Sequence, residues 1–270
     1  MSWFFIEYMR FPARSIQRLG GKVLQALHNT GHASFMLLEA IAFSRFVFSR
    51  KNRSETMTQM YITGVKSLGV ISVVALFTGM ILALQTGLTL RDFGQEVYIG
   101  SAVAISMIRE MGPFMTGLII AASVGSSIAA QIGTMSVSEE IAALEVMGIN
   151  PNRFLVMPRL VALAVMMPLL TVYSNILGIL GGALVGSTQL GVSVQAYMDN
   201  AFRFATNKDL FVGLFKAFVF GVVICTVSCH EGFMTREGAV GVGRATRKAV
   251  IVSFLIILML GYMMTRIFYA

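Results

Sequence analysis

A short run near the end of one apolar stretch holds four residues of the types that bind metal ions. They are Cys225, Cys229, His230 and Glu231. Their spacing matches none of the usual zinc patterns, and thiols four residues apart in an apolar helix usually serve in packing. The run therefore predicts helix packing rather than a metal site.

Two further histidines, His28 and His32, have the four-residue spacing of a two-ligand helix face, but Asn29, Thr30 and Gly31 between them are typical of a turn. We predict no bound metal at this pair. Covalent catalysis needs a nucleophile beside a base, and no catalytic motif surrounds His230. The glycines of residues 238–243 lack the GK[ST] ending of a phosphate-binding loop. An intramembrane enzyme is therefore a weak hypothesis.

Arg109 and Glu110 form a charged pair inside an apolar region and are followed by Gly112 and Pro113. Adjacent residues on a helix point about 100° apart, so the two side chains cannot bridge neatly to each other. The proline removes a backbone hydrogen bond and predicts a kink or break. Charges within a membrane span usually line a cavity or pathway. The alternative is a pair at headgroup level that ends a short re-entrant piece.

The composition is that of an integral membrane protein. Hydrophobic residues make up 56% of the 270-residue chain and charged residues 13%, with a mean hydropathy of +0.76, whereas soluble domains carry about 25% charged residues. The net charge of +8 must then concentrate in loops and ends, where it indicates orientation rather than nucleic-acid binding. Two cysteines exclude a disulfide framework.

Periodicity and length predict an all-α integral membrane protein with about five transmembrane helices. The predicted spans are about 67–90, the apolar region that follows Tyr98 up to Ile132, the stretch from the re-entry after Arg153 to about Val185, about 210–229 and about 250–268. Gln85 is the main polar residue of the first span and is expected to face a protein interior. Gly178, Gly182 and Gly186 have the spacing of a helix-packing face.

Residues 1–66 are predicted to form an N-terminal region distinct from the transmembrane domain, residues 67–270. Basic residues recur every four positions at Arg10, Arg14, Arg18 and Lys22, with apolar residues largely on other faces. Residues 1–30 therefore predict a helix that lies in the membrane interface. Residues 33–48 form a second amphipathic segment.

The segment between the second and third spans, residues 133–151, reads GTMSVSEEIAALEVMGINP. Ser136 and Glu139 fit a capping box, which predicts a helix that starts near Val137. Ile141, Leu144 and Met147 then recur every three residues as an apolar strip.

The same segment carries signals that end a helix. Gly148 supplies a left-handed stop, Ile149 can fold back onto Leu144 as in a Schellman motif, and Pro151 prevents continuation. The prediction is an amphipathic helix of about three turns, at about 136–148, which is too short to cross a membrane. Either it docks on a partner or it simply closes a hairpin.

The run GTMSVSEEIAALEVMGINPNRFLVMPRLVAL resembles the signature region of the MlaE family, the permease subunits of ABC transporters that move phospholipids across Gram-negative envelopes and related membranes. The resemblance extends from about Gly79 to the C-terminus. It implies that the short helix is a cytoplasmic coupling helix in a groove of a separate ATPase. The residues it assigns to coupling are Glu139, Glu140, Leu144, Glu145, Met147 and Gly148.

The resemblance also implies a homodimer with a lipid-binding cavity between the protomers, near Gln85, Arg109 and Glu110. The implied partners are an ABC ATPase, an MCE-domain substrate-binding protein on the outer side, often a small STAS-domain protein, and phospholipid. No Walker motif occurs in the chain, so ATP and magnesium would bind to the ATPase, and this chain would be neither an enzyme nor a cofactor carrier. Family members commonly carry arginine and glutamate where this chain has Ser123 and Gln131.

The charge distribution predicts the orientation. With five spans, the N-terminal region, the coupling segment and the loop at 236–248 share one side and hold about fifteen Lys and Arg residues, against about six elsewhere. By the positive-inside rule that side is cytoplasmic. Together with the resemblance, which implies the inner membrane of a Gram-negative envelope, this predicts a cytoplasmic N-terminus and a periplasmic C-terminus. The main alternative function is a stand-alone secondary transporter or channel, for which Glu110 is the one strong candidate for ion coupling.

Overall fold

The computed structural model describes residues 31–43 and 50–269, with side chains from Arg53 onward in the second range. The interfacial helix predicted for residues 1–30 lies outside these ranges. Within them the chain is almost entirely helical, and no β-strand occurs in the described residues. The predicted all-α membrane fold is therefore confirmed.

Eleven α-helices follow one another in the described ranges. They are α1 (Gly31–Phe43), α2 (Arg50–Thr63), α3 (Leu68–Asp92), α4 (Ile99–Ser106), α5 (Gly112–Ile120), α6 (Ser126–Val137), α7 (Glu140–Val146), α8 (Met157–Thr188), α9 (Val194–Phe204), α10 (Asn207–Phe233) and α11 (Gly238–Tyr269). Short 3₁₀ turns at Val65–Ser67 and Glu96–Tyr98 and π-helical turns at Met107–Met111, Ala121–Gly125 and Asn152–Val156 connect several of them.

Five stretches of the described chain are long and apolar enough to cross a membrane, as predicted. They are Arg53–Asp92, Glu96–Val137, Asn152–Thr188, Asn207–Phe233 and Gly238–Tyr269, and we number them as the first to fifth spans. The first span begins earlier than the sequence indicated, because α2 runs into α3 through a single 3₁₀ turn.

The second span remains helical past Pro113, so the break, one of the two predicted outcomes, does not occur. A π-helical turn at Met107–Met111 comes just before the proline, which lies in the first turn of α5. A π turn changes the hydrogen-bond register of a helix without ending it. The missing proline N–H is thereby accommodated inside a continuous span.

The glycine repeat of α8 packs within the chain. The backbones of α3 and α8 touch where Gly79 meets Gly178, since a Cβ atom at Gly79 would lie 1.8 Å from the carbonyl oxygen of Gly178. On the neighbouring face, Gly182 and Gly186 lie under the buried ring of Tyr197 from α9. The small residues therefore allow close approach of α3, α8 and α9 within the chain.

Two elements show large exposed apolar surfaces. α11 buries only Ala245, Ala249, Ser253 and Ile257, one residue per turn, and packs through this stripe on α6 and α10. α3 likewise packs mainly on α8 and exposes Phe77 and Ile81 on its other side. Apolar exposure of this kind fits a lipid or protein environment rather than water.

The bundle has two chemically different ends. At one end the Ser136 hydroxyl donates to the carbonyl oxygens of Phe233 and Thr235, which joins α6 to the turn between α10 and α11. We call this the α7 end. At the other end α9 packs on α4, and the rings of Tyr98 and Phe204 meet edge to face at 6.0 Å. We call this the α9 end.

Candidate functional site

The start of α7 differs from the predicted capping box. Ser136 is still part of α6, and its hydroxyl donates to Phe233 and Thr235 instead of capping a helix. The N-cap is Glu139, which has a left-handed backbone (φ 59°) and makes no side-chain capping bond. The helix therefore starts at Glu140 and has seven residues, about two turns rather than three. Sequence alone did not show that the Ser136 hydroxyl would bond instead to the turn between α10 and α11.

The end of α7 is the predicted Schellman motif. Gly148 has φ 72°, and its N–H donates to the carbonyl oxygen of Glu145 at 2.9 Å. The N–H of Ile149 donates to the carbonyl oxygen of Leu144, also at 2.9 Å. These are the two bonds that define the motif. Left-handed residues thus bound α7 on both sides and set it apart from the spans before and after it.

No residue of α7 is fully buried. Glu139, Glu140 and Glu145 are exposed, and no salt bridge involves them in the described part of the chain. Val146 is 89% exposed and Met147 64%. We call these five residues the α7 surface, which combines negative charge with apolar area.

The predicted apolar strip of α7 does not face a single direction. Ile141 packs against the core of the protein, and Leu144 is half-buried, whereas Met147 is exposed. Val146 was missed because it lies off the three-residue period. At the end of this short helix both Val146 and Met147 are exposed. A three-residue period assigns apolar residues to one buried face and therefore does not predict such exposure.

Arg109 is paired with a residue 100 positions away. Its Nε donates to Asp209 Oδ1 at 2.6 Å, and its guanidinium carbon lies 4.4 Å from the centre of the Tyr269 ring. The Tyr269 hydroxyl donates to the same Asp209 oxygen at 2.9 Å. Asp209 is 1% exposed, so its charge is neutralised by Arg109 in a place that water hardly reaches.

Glu110 is paired with Lys216, which is also 1% exposed. The Nζ of Lys216 donates to Glu110 Oε1 at 2.6 Å, to Thr265 Oγ1 at 2.8 Å and to the backbone oxygen of Arg109 at 3.0 Å. The last of these is the carbonyl that would accept the N–H of residue 113 in a regular helix, and Pro113 has none. Lys216 thus neutralises the Glu110 carboxylate and donates to the Arg109 carbonyl oxygen, which has no donor from residue 113 because that residue is a proline.

Together Arg109, Glu110, Asp209 and Lys216 form a neutral set of two cations and two anions, which we call the four-charge cluster. It joins the second, fourth and fifth spans. Asp209 lies in the first turn of α10 and Tyr269 at the end of α11, so the cluster lies toward the α9 end. The pair does not end a re-entrant piece, because the second span continues past it.

Sequence reasoning missed Asp209 and Lys216. Lys216 is the one cation in the apolar run LFVGLFKAFVF, which was a usable sign of an intramembrane partner. Asp209 was harder to identify, because it also completes a capping box with Thr206 at the start of α10.

Gln85 does not join the four-charge cluster. Its side chain is exposed on α3, and no hydrogen bond links it to Arg109 or Glu110 in the described chain. Gln85 therefore does not face the interior of the described chain, and the expectation that it faces a protein interior stays a prediction. Arg109 and Glu110 are partly exposed as well, at 35% and 39% of their side chains.

Gln131 contacts a buried cation at the α7 end. Arg159 is 7% exposed; its Nη1 donates to the Leu155 carbonyl oxygen at 2.7 Å and its Nη2 to Gln131 Oε1 at 3.2 Å. Its Nε has no partner, and no carboxylate pairs with it among the described residues. Gln131 also lies in an exposed polar row that includes Ser123, in the π turn before α6, and Ser127 on α6.

Comparison with known proteins identifies the fold that carries these features. The model of a family described as Permease MlaE matches residues 56–267, which include all five spans almost completely, α7 and the four-charge cluster. The chain belongs to the MlaE permease family.

Relatives of this MlaE permease occur in several lineages. A probable ABC transporter permease protein of Rickettsia prowazekii is 39% identical over 235 residues, which cover 87% of this chain and 91% of that protein. The intermembrane phospholipid transport system permease protein MlaE of Haemophilus influenzae is 34% identical over 257 residues, covering 94% and 97%. A chloroplastic protein of Arabidopsis thaliana, trigalactosyldiacylglycerol 1, is 34% identical over 214 residues, covering 79% and 61%.

The matched region of the MlaE permease begins inside α2, so α1 lies outside it. α7 and the four-charge cluster lie inside it and belong to opposite ends of the bundle. The family assignment therefore covers the two groups of residues that the sequence singled out.

Proposed function

We propose that this chain is the permease subunit of an ABC transporter that moves phospholipid, or a related lipid, between the inner membrane and periplasmic carriers. A separate ATPase supplies the energy. Membership of the MlaE family and the name of the Haemophilus influenzae relative support this proposal. The partners are the ABC ATPase, an MCE-domain substrate-binding protein, in many systems a STAS-domain protein, and a second copy of the chain.

The observation that carries the coupling role is the α7 surface. Its three carboxylates lack basic partners in the described chain, and Val146 and Met147 add exposed apolar area beside them. Such a surface suits a groove that is apolar at its centre and basic at its rim. In this proposal Glu139, Glu140, Leu144, Glu145, Met147 and Gly148 transmit the movement of the ATPase to the spans.

The exposed polar groups within the spans support a homodimer. Gln85, Arg109 and Glu110 all show part of their side chains on the outside of one protomer, where contact with lipid tails is unfavourable. A second protomer that encloses a partly hydrated cavity removes this cost. We assign these three residues to the lipid path between protomers.

The orientation follows from charge. The α7 end carries Arg153, Arg236 and Lys248 among other basic residues, so we place it in the cytoplasm. The ATPase would then reach α7 from the compartment that contains ATP. The C-terminus after α11 lies on the periplasmic side.

Charge reversal tests the coupling role. The double variant Glu140→Lys and Glu145→Lys should lose co-purification of the ATPase and lipid-stimulated ATP hydrolysis, because it repels a basic groove. Glu237→Lys is the control, since Glu237 is also an exposed carboxylate at the same end but pairs with Arg244. Unchanged assembly and turnover in the double variant, or lipid flux through the isolated chain alone, would overturn the proposal.

Cysteine labelling tests the orientation. Ala143 is exposed on α7 and Gln195 on α9, while the native thiols Cys225 and Cys229 are buried. In spheroplasts an impermeant maleimide should label the Gln195→Cys variant and not the Ala143→Cys variant. Both should react after the membrane is opened. The opposite pattern would reverse the proposed orientation.

Gln85 tests the lipid path. If it faces a cavity, Gln85→Leu should lower lipid transport while ATPase assembly stays intact, because the cavity loses a polar contact to the headgroup. If Gln85 faces lipid tails instead, the same substitution should stabilise the protein and leave transport unchanged. Measuring thermal unfolding and transport on one preparation separates the two results.

A further inference from the structure

The short apolar helix α1 is attached to the chain just after α7. Met36 and Ala40, on one side of α1, are 1% and 0% exposed and belong to the same core cluster as Val156 and Leu160. α1 is therefore held against the start of the third span by well-packed apolar contacts. This contact places its polar residues beside the coupling segment.

Glu39 on α1 adds hydrogen bonds to these apolar contacts. Its Oε1 accepts a hydrogen bond from Asn150 Nδ2 at 2.6 Å, and its Oε2 accepts one from Asn152 Nδ2 at 2.5 Å. Both carboxylate oxygens are thus occupied by side chains 111 and 113 positions away. Hydrogen bonds to an ionised carboxylate are short and stronger than those between neutral groups.

The two asparagines lie at the junction between α7 and the third span. Asn150 follows Gly148 and Ile149, which close the Schellman motif, and its Oδ1 accepts the N–H of Asn152 at 2.9 Å. Asn150 therefore uses its oxygen to start the next helix and its amide N–H to reach Glu39. Next to Asn152, the guanidinium carbon of Arg153 lies 5.9 Å from the centre of the Phe43 ring on α1.

We infer that Glu39 is a positioning residue that clamps the junction between α7 and the third span to α1. The inference rests on the proposed coupling role of α7. With the clamp closed, residues 148–152 move with α1 and the start of α8 as one body. A push on α7 then displaces the third span, whereas with the clamp open it is absorbed by bending at Gly148.

Three sets of substitutions test the clamp in the complete transporter. Glu39→Gln removes the charge and replaces one acceptor by a donor. Asn150→Asp with Asn152→Asp places two carboxylates against Glu39. Glu39→Gln with Asn150→Asp reverses the polarity and restores both bonds, because an aspartate at 150 keeps an oxygen for the Asn152 N–H and accepts from the glutamine amide.

We expect Glu39→Gln to leave the amount of co-purified ATPase unchanged, to lower the lipid moved per ATP by about tenfold, and to speed amide exchange in residues 140–149 by a similar factor. The double aspartate variant should move still less lipid per ATP and exchange its amides still faster. The reversed pair should recover most of both losses, which a general packing defect would not. Glu55→Gln is the control, because Glu55 bonds only to Gln59 within α2 in the described chain.

A wild-type lipid yield and wild-type exchange in Glu39→Gln would overturn the clamp, and so would a reversed pair no better than Glu39→Gln alone. Failure of the proposed function looks different: the wild-type chain would then bind no ATPase, while the exchange measurement on residues 140–149 would still show the effect of Glu39. The two proposals can therefore fail separately.

Discussion

The Nζ of Lys216 donates a hydrogen bond to the backbone oxygen of Arg109, the carbonyl that Pro113 leaves without its helical donor. A cation of the fourth span thereby supplies a hydrogen bond that the backbone of the second span lacks. The same ammonium group neutralises Glu110 and contacts Thr265. Three spans are joined at one nitrogen atom.

This arrangement predicts an asymmetric effect of breaking the ion pair. Glu110→Gln leaves the buried charge of Lys216 without a counter-charge and should destabilise the protein by about 3 kcal/mol. Lys216→Met leaves a carboxylate that is 39% exposed and bonded to Thr265, so it should cost about 1 kcal/mol. Thermal unfolding in detergent measures both. In the double variant the loss should be close to that of Lys216→Met, and strictly additive losses would show that the two side chains do not interact.

The contact between α3 and α8 predicts unequal effects of two alanines. At Gly79 a Cβ atom would overlap the backbone of Gly178, so Gly79→Ala forces two helices apart and should cost about 3 kcal/mol or more. At Gly178 the nearest atom is the terminal methyl of Met107, 2.1 Å away. A methionine side chain can move aside, so Gly178→Ala should cost about 1 kcal/mol. Folded yield and thermal unfolding rank the two variants, and an equal loss would contradict the packing described.

The left-handed Gly148 predicts a local effect on α7. No atom lies within 4 Å of a Cβ atom at this position, so Gly148→Ala acts through backbone strain alone and should weaken the Schellman motif by about 1 kcal/mol. Faster amide exchange in residues 140–149 is the expected result. Gly243→Ala is the matched control, because it is equally free of contacts but lies inside α11, where alanine should stabilise slightly. Similar exchange of α7 in both variants would argue against a strained residue 148.

Gln131 predicts a gain of stability. Gln131→Glu places a carboxylate 3.2 Å from the buried guanidinium of Arg159 and should stabilise the fold by about 1 kcal/mol, because an ionised acceptor strengthens the hydrogen bond. Gln131→Met removes the acceptor and should destabilise by about 1 kcal/mol or more. Thermal unfolding at high and low salt checks this. If glutamate and methionine shifted stability in the same direction, the Arg159 contact would not be the cause.

Local signals of the sequence predicted some features well. Residue type and spacing were enough to recognise the five apolar stretches, the Schellman end of α7 and the family. Each of these depends on a continuous stretch of sequence: the length of an apolar run, a glycine at a helix end, or a signature motif. The start of α7 was not. Ser136 and Glu139 have a capping pattern, yet Phe233 and Thr235 accept the bond from the serine hydroxyl instead.

Long-range pairs were beyond local reasoning. Sequence showed that Arg109 and Glu110 needed partners but not that Asp209 and Lys216 supply them, because nothing local indicates which spans are neighbours. Gln85 was expected to face a protein interior because an unpaired amide in lipid is unfavourable, and in this chain its side chain is exposed. That cost is real, but a rule about one chain cannot tell a protomer interior from a surface that faces another molecule.

The four-charge cluster also has a consequence for biogenesis. The second span leaves the ribosome with Arg109 and Glu110 about 100 residues before Asp209 and Lys216 are made, and each isolated charge opposes partition into the bilayer by about 3 kcal/mol. In a nascent chain that ends before the fourth span, the second span would be only weakly inserted in the membrane. Stable integration of the second helix therefore awaits synthesis of the fourth, and truncated chains should be extracted readily and degraded.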